Sequence, residues 1–191
     1  MPATRSPLRR STGQLRSNAT RGPPMVIREA GGNDYPRVME LALALARHVE
    51  DPDPGGSADE VRATACGSHP WFECLVAEVD GRIVGFVSFC RRFEMHLLRR
   101  SLWIGDLFIV EDARGQGIGR SLLAALASRG VALGCDSIVL EVWRHNSLAL
   151  AFYERLGASR MDECLLLSLK SQRAAREPLS QIPELPGPST V

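Results

Sequence analysis

The segment Arg114-Gly115-Gln116-Gly117-Ile118-Gly119 constrains this chain most, because of what flanks it. The run Trp103–Val110 before it is short, apolar and rich in β-formers. After it, Ile118, Leu122, Leu123 and Leu126 recur at helical spacing. A strand therefore enters the loop and a helix leaves it. Glycines at alternate positions leave backbone N–H groups uncovered where the helix begins, and aligned N–H dipoles there favour a phosphate or pyrophosphate. The segment reads as an anion cradle. A P-loop is excluded, since neither the Lys nor the following hydroxyl of G-x-x-x-x-G-K-[ST] is present. A dinucleotide fingerprint would place its third glycine where Arg120 stands. Asp136, at the spacing of a ribose-binding acid, keeps that reading open. A turn serving only chain reversal is the plainer alternative.

Length and charge narrow the choice of partner. A chain of 191 residues holds one domain with a real core. Its net charge of +1 gives no case for nucleic acid, and no apolar run has the length of a membrane span, so neither is expected as a partner. The five cysteines are scattered, odd in number and lack a C-x-x-C pair, as expected of reduced thiols in a cytoplasmic protein. The four histidines show no metal-ligand spacing, so no metal is expected. Residues 1–24 carry Arg5, Arg9, Arg10, Arg16 and Arg21 without one acidic residue. An organelle transit segment has that composition. The absence of an apolar helical face favours a disordered leader, or sequence upstream of a start at Met25. Residues 171–191 read as a Pro-rich disordered tail.

Between the ends, Met25–Ala30 reads as a strand, and Asp34 with Pro36 marks a helix start. Val38, Leu41, Ala42, Leu45 and Val49 carry that helix for about four turns. Asp51–Gly56 breaks it, and a second helix covers Ala58–Cys66. Leu75–Val79 and Ile83–Phe89 form a hairpin over Asp80-Gly81. A loop at Arg91–Arg100, the strand ending at Val110 and a helix over Gln116–Leu133 follow. Ser137–Trp143 reads as a strand, Leu148–Leu156 as a helix closed by Gly157, and Cys164–Leu169 as a last strand. The order implies an α/β fold, one mixed sheet with helices on both faces.

Four motifs together resemble a known family. They are R-G-x-G-I-G at Arg114–Gly119, His69–Val79, Gly85-Phe86, and the frame Asn146–Ala158 with its Phe152-Tyr153 and Gly157-Ala158 pairs. Over about Val26 to Leu169 the chain is similar to the GCN5-related N-acetyltransferases (GNAT), and within them to the spermidine/spermine, or diamine, branch. The resemblance implies a domain over 25–170 with a mixed, mostly antiparallel central sheet. It implies acetyl-CoA as co-substrate, a primary amine of a small molecule (polyamine, diamine or amino-acid-like) as acceptor, and a homodimer. The amides of Gly115, Gln116, Gly117, Ile118, Gly119 and Arg120, with Arg114 fixing the loop, would hold the pyrophosphate. Leu107, Phe108 and Ile109 would pair with the pantetheine arm as an added strand does, and a free N–H, that of Ile109, would polarise the acetyl carbonyl. Asn146 and Ala149 would complete the cofactor contacts. Tyr153 would be the general acid for the departing thiolate, since a phenol stays protonated at neutral pH. Taken alone, Tyr153 beside Phe152 reads as core, and Asn146 as an N-cap.

One position departs from that branch. The diamine enzymes usually carry Glu before the Asp of the central strand, and here Gly105 precedes Asp106. Regular strand alternation puts 105 and 106 on opposite faces, so Asp106 does not replace the missing neighbour. A water chain, or a carboxylate such as Glu94 or Glu141, is left to take the amine proton. Trp71 and Phe72 either line the acceptor channel or seal the core. A peptide or protein acetyltransferase of the same fold, and a coenzyme A-binding sensor without turnover, remain alternatives.

Overall fold

A computed structural model describes residues 24–162 and 164–168. The expected leader, apart from Pro24, and the expected tail lie outside them, as does Leu169. The chain forms two units, Met1–Glu141 and Val142–Val191.

Among the described residues, the first unit is built on five strands in sequence order: β1 (Met25–Glu29), β2 (Glu73–Val79), β3 (Arg82–Glu94), β4 (Arg99–Ile109) and β5 (Ser137–Leu140). Neighbours from β1 to β4 are antiparallel, whereas β5 lies parallel to β4. Asp80 and Gly81 turn β2 into β3 with φ of 51° and 75°, the left-handed pair that a two-residue hairpin requires. The expected mixed, mostly antiparallel sheet is the one found.

Helices cover both faces, which explains why β2 reads as a continuous apolar run rather than an alternating one. Cys74 and Val76 pack with Tyr35, Val38 and Leu41 of α1 (Tyr35–His48). α2 (Ala58–Cys66) adds Val61 and Ala65 to the α1 side and begins with a Ser57/Glu60 capping box. Leu75 and Ala77 pack on the other side with Ile118, Leu122 and Leu126 of α3 (Ile118–Ala132). Burying one such aliphatic side chain contributes about 1.5–3 kcal/mol, so the central strands are held from above and below.

Two local expectations are corrected and a third is refined. Arg91–Arg100 is not a loop: β3 and β4 continue through it as a two-stranded arm, closed by a short 3-10 turn at Met95–Leu97 with Leu98 at φ 50°. Cross-strand pairing sustains the arm, with Arg92 stacked 5.2 Å from the Trp103 ring and Glu94 opposite Arg99. Asp34 and Pro36 mark the start of α1 as expected, with Asp34 at the N-cap position, but its side chain makes no cap hydrogen bond. Its carboxylate takes Arg28 at 2.6 and 3.0 Å and the Gly31 N–H at 2.7 Å, tying the helix start to β1. Residues 164–168 are not a strand.

The feature that positions the site is a β-bulge. Ser88 pairs with Asp106 but Phe89 pairs with Ile104, so Gly105 is an extra residue in β4. The phase of the strand changes there. Leu102 and Ile104 face α3, and beyond the bulge Phe108 faces α1 while Leu107 and Ile109 return to the α3 side. Pairing of β4 with β5 runs only from Ser101 to Ile104. The bulge bends β4 away, and β5 stops at Leu140 rather than Trp143.

Leu122 is fully buried beneath the sheet, whereas Val131 on the same helix is 78% exposed. Urea unfolding of Leu122→Ala is expected to show a loss of about 2–5 kcal/mol, and Val131→Ala a change within about 0.5 kcal/mol.

Candidate active site

Past the bulge, one edge of β4 has no strand beside it among the described residues of the sheet. Val110 N–H donates back to the Val84 carbonyl of β3 at 2.9 Å, so the groups of Ile109, and of Leu107 two residues earlier, point the other way. The Ile109 carbonyl on that edge accepts from Arg114 Nε at 3.0 Å. The N–H groups of Leu107 and Ile109 are thus offered where a further strand would add. Their side chains meanwhile pack against the α3 cluster, and Phe108 sits in the other core. Backbone and side chains serve different ends, so the buried-strand and binding-edge readings coexist.

This edge leads into the glycine loop. Gly115 and Gly117 have φ of 76° and 82°, and a Cβ built on either would touch no atom of the described residues. Conformation, rather than packing, thus requires glycine at both positions. Gly117 is the N-cap residue of α3 and brings no side-chain cap. Ser121 N–H makes the first helical bond, to the Gly117 carbonyl at 3.0 Å. The N–H groups of Ile118, Gly119 and Arg120 therefore stand at the positive end of a 15-residue helix without carbonyl partners one turn back. Ile118 is buried and anchors the helix start, while Arg120 is exposed. Arg114 joins cradle to strand: its Nε holds Ile109 and its guanidinium lies 5.6 Å from the Phe108 ring centroid. Gln116 Nε2 closes the loop onto the Asp112 carbonyl at 3.2 Å. Such a cradle suits a diphosphate, and the free edge beside it suits an amide-bearing extended arm.

The dinucleotide reading fails on the same geometry. Asp136 accepts from the Arg100 N–H at 3.2 Å, where β4 begins, at the end of α3 remote from the loop. A helix of that length separates the two by about 22 Å, too far for an acid meant to hold the adjoining ribose.

The second unit carries α4 (Ser147–Arg155). Asn146 Oδ1 accepts from the Ala149 N–H at 3.1 Å, so Asn146 caps this helix. At the other end Gly157 has φ 91°, with Gly157 N–H on the Glu154 carbonyl and Ala158 N–H on that of Tyr153, a Schellman closure. Asn146, Ala149 and Tyr153 are thereby held in one short capped helix. Tyr153 meets Phe152 edge-on at 5.1 Å, and burial pushes its phenol up to about 12.

Ser88 gives no signal in the sequence, being one hydroxyl in an apolar strand. It is buried, and its Oγ accepts from the Asp106 N–H at 2.9 Å and donates to Asp106 Oδ2 at 3.1 Å. The bulge also corrects the face assignment: Gly105, by the phase before it, and Asp106, by the phase after it, lie on the same α1 side. Cys74 shares that row, and burial, then the charges of Asp34 and Asp106, push its thiol up to about 12, away from nucleophilic chemistry. Glu94 is excluded as a neighbour of the bulge. It lies six register positions along β3, about 20 Å away, and pairs with Arg92 at 2.7 Å. Glu141 is exposed just past β5. Phe72 seals the core against Tyr35 at 6.4 Å, whereas Trp71 is 81% exposed. Among the described residues no helix is long and apolar enough to cross a membrane.

Comparison with known proteins agrees with this architecture. The model of the Acetyltransferase (GNAT) family matches residues 37–158. Thialysine N-epsilon-acetyltransferase of Sus scrofa is 30% identical over 149 residues, 73% of this chain and 86% of that protein. The Bos taurus enzyme of the same name is 28% identical over 148 residues, with the same coverage. The crystal structure of ribosomal-protein-alanine N-acetyltransferase from Brucella melitensis biovar Abortus 2308 superposes with a TM-score of 0.63 at 22% identity, over 77% of this chain and all of that one, a likeness of fold. A splayed strand pair ending in an uncapped glycine cradle, and a family match spanning that whole region, lead to one conclusion: the chain belongs to the acetyltransferase (GNAT) family and is an N-acetyltransferase.

Proposed function

We propose that this enzyme transfers the acetyl group of acetyl-CoA to a primary amine of a small molecule, diamine or amino-acid-like in character. One observation carries the reading: the unpaired edge of Leu107–Ile109 leads, through a 3-10 turn at Glu111–Ala113 and the glycine loop, to the N-terminus of α3, which has no side-chain cap. The amides of Gly115–Arg120 would take the pyrophosphate, with Arg114 and Gln116 holding the loop shut. The Leu107 and Ile109 groups would pair with the pantetheine amides, and Ile109 N–H would polarise the thioester carbonyl, a contribution of a few kcal/mol to the transition state. The family resemblance also implies cofactor contacts from Asn146 and Ala149, at the start of α4. The acceptor class follows the thialysine enzymes, whose substrate is a small amine by name.

Tyr153 is the proposed acid. Its raised pKa keeps the phenol protonated throughout the physiological range, so it can donate to a leaving thiolate. The domain would span 25–170; the unpaired cysteines of the described residues fit a cytoplasmic location, and the homodimer follows from the family resemblance alone.

Gly117→Glu puts a side chain at a left-handed φ and a carboxylate into the anion site. By calorimetry, coenzyme A affinity is expected to fall at least about 100-fold, beyond the roughly 1–2 kcal/mol of backbone strain; unchanged affinity would remove the cradle from the site. A mass-spectrometric screen of diamines, amino acids and peptides with acetyl-CoA tests the acceptor. Acetylated small amines are expected, whereas products confined to peptides would favour protein acetylation. Coenzyme A binding without any product would favour a sensor.

Tyr153→Phe is expected to lower kcat by about 10²–10⁴, and survival within threefold would dismiss the acid. Tyr35 and Tyr153 are the chain's two tyrosines, and burial raises both. A spectroscopic titration of the folded protein should therefore show no tyrosinate near pH 10. The unfolded chain releases these protons first, so their stabilisation is complete below pH 10 and declines as pH rises from 10 through 12.

A further inference from the structure

We infer that Asp106 is the carboxylate that receives the acceptor's ammonium, and that Ser88 is the residue that positions it. This assignment rests on the acetyltransferase function proposed above and names the base that function lacks. The geometry comes from the bulge. Because Gly105 is the extra residue of β4, the strand does not turn Asp106 to the α3 side. Both positions share the α1 face, and Asp106 stands exposed beside the end of β5 pairing. A carboxylate at 106 can therefore work from the side on which a carboxylate at 105 would have stood.

An exposed aspartate on a strand is ordinarily free to rotate, and Ser88 removes that freedom. Its buried hydroxyl takes the Asp106 N–H at 2.9 Å and gives its own proton to Oδ2 at 3.1 Å, bridging backbone and side chain of one residue. One carboxylate oxygen is thereby occupied, and Oδ1 has no hydrogen-bond donor among the described residues. Gly105 and Ser88 go together. A Cβ at 105 would approach Ser88 Oγ to 3.1 Å, so the glycine leaves room for the hydroxyl that holds Asp106. The missing side chain and the added hydroxyl are two halves of one arrangement.

In the reaction, Asp106 accepts one proton from the R–NH3+ group and later releases it to solvent. The freed nitrogen lone pair forms the C–N bond at the thioester carbonyl. The C–S bond breaks with its electron pair on sulfur. The second proton that nitrogen loses on becoming an amide is balanced by the proton that ends on the thiol. Ammonium and thioester thus become amide, thiol and one released proton.

Asp106→Asn, Ser88→Ala and Ser88→Thr separate the roles by steady-state kinetics and coenzyme A calorimetry. Asp106→Asn should lower kcat by about 10²–10⁴ with coenzyme A affinity within twofold of wild type. Ser88→Ala should lower kcat about tenfold while KM for acetyl-CoA stays within twofold, and Ser88→Thr, which keeps the hydroxyl, should recover most of it. Wild-type kcat in Asp106→Asn overturns the inference and leaves the acetyltransferase function standing. Equal loss in Ser88→Ala and Ser88→Thr, with both proteins folded by their melting curves, overturns the positioning role. A wild-type protein that binds coenzyme A and acetylates no amine overturns both the inference and the function it rests on.

Discussion

The extra residue at Gly105 is the constraint on which the rest of the site depends. A regular β4 would continue to pair with β5, and its backbone groups would be satisfied within the sheet. With the bulge, pairing with β5 ends at Ile104, the strand changes phase, and the free edge leads past Ile109 and a 3-10 turn at Glu111–Ala113 to the glycine cradle. Backbone groups normally find partners inside the protein. Here a short row of them is left for a ligand, flanked by a helix whose first amides are equally uncapped.

Such a site needs a rigid frame, since β4 must hold its unpaired edge without sheet support on that side. The two cores supply it. Phe108 is clamped with Leu41, Val76 and Phe86 on the α1 side, while Leu107, Ile109 and Ile118 are held with Leu75, Val87 and Leu122 on the α3 side. Arg114 adds a polar tie between strand and loop through the Ile109 carbonyl. Gly85 contributes by absence: a Cβ there would sit 2.9 Å from the Phe108 carbonyl, so glycine lets β3 run close behind the binding strand.

Much of this is legible in the residues, and where it is not the cause is definite. The loop, both major helices and the Asp80-Gly81 hairpin announce themselves through local chemistry: positive-φ glycines, 3.6-residue spacing and a left-handed turn pair. The Arg91–Arg100 arm is hidden because its arginines look solvent-facing, and pairing across strands is invisible to a one-dimensional pattern. Asp34 has the residue type and place of a cap, yet Arg28 and Gly31, nearby in space, compete for its carboxylate. The face of Asp106 escapes simple alternation because period two holds only in a strand without insertions, and nothing local marks Gly105 as the inserted residue.

The sequence by itself determined the anion cradle, the layered α/β order and the family, since each rests on residue types at short spacings that obey local stereochemistry. Only the tertiary structure decided where β4 and β5 part, which carboxylate shares a face with the opened edge, and that a buried serine 18 residues away holds it. Those outcomes depend on register between strands distant in the chain. Register is set by the packing of two opposed cores, and no single stretch of sequence contains both.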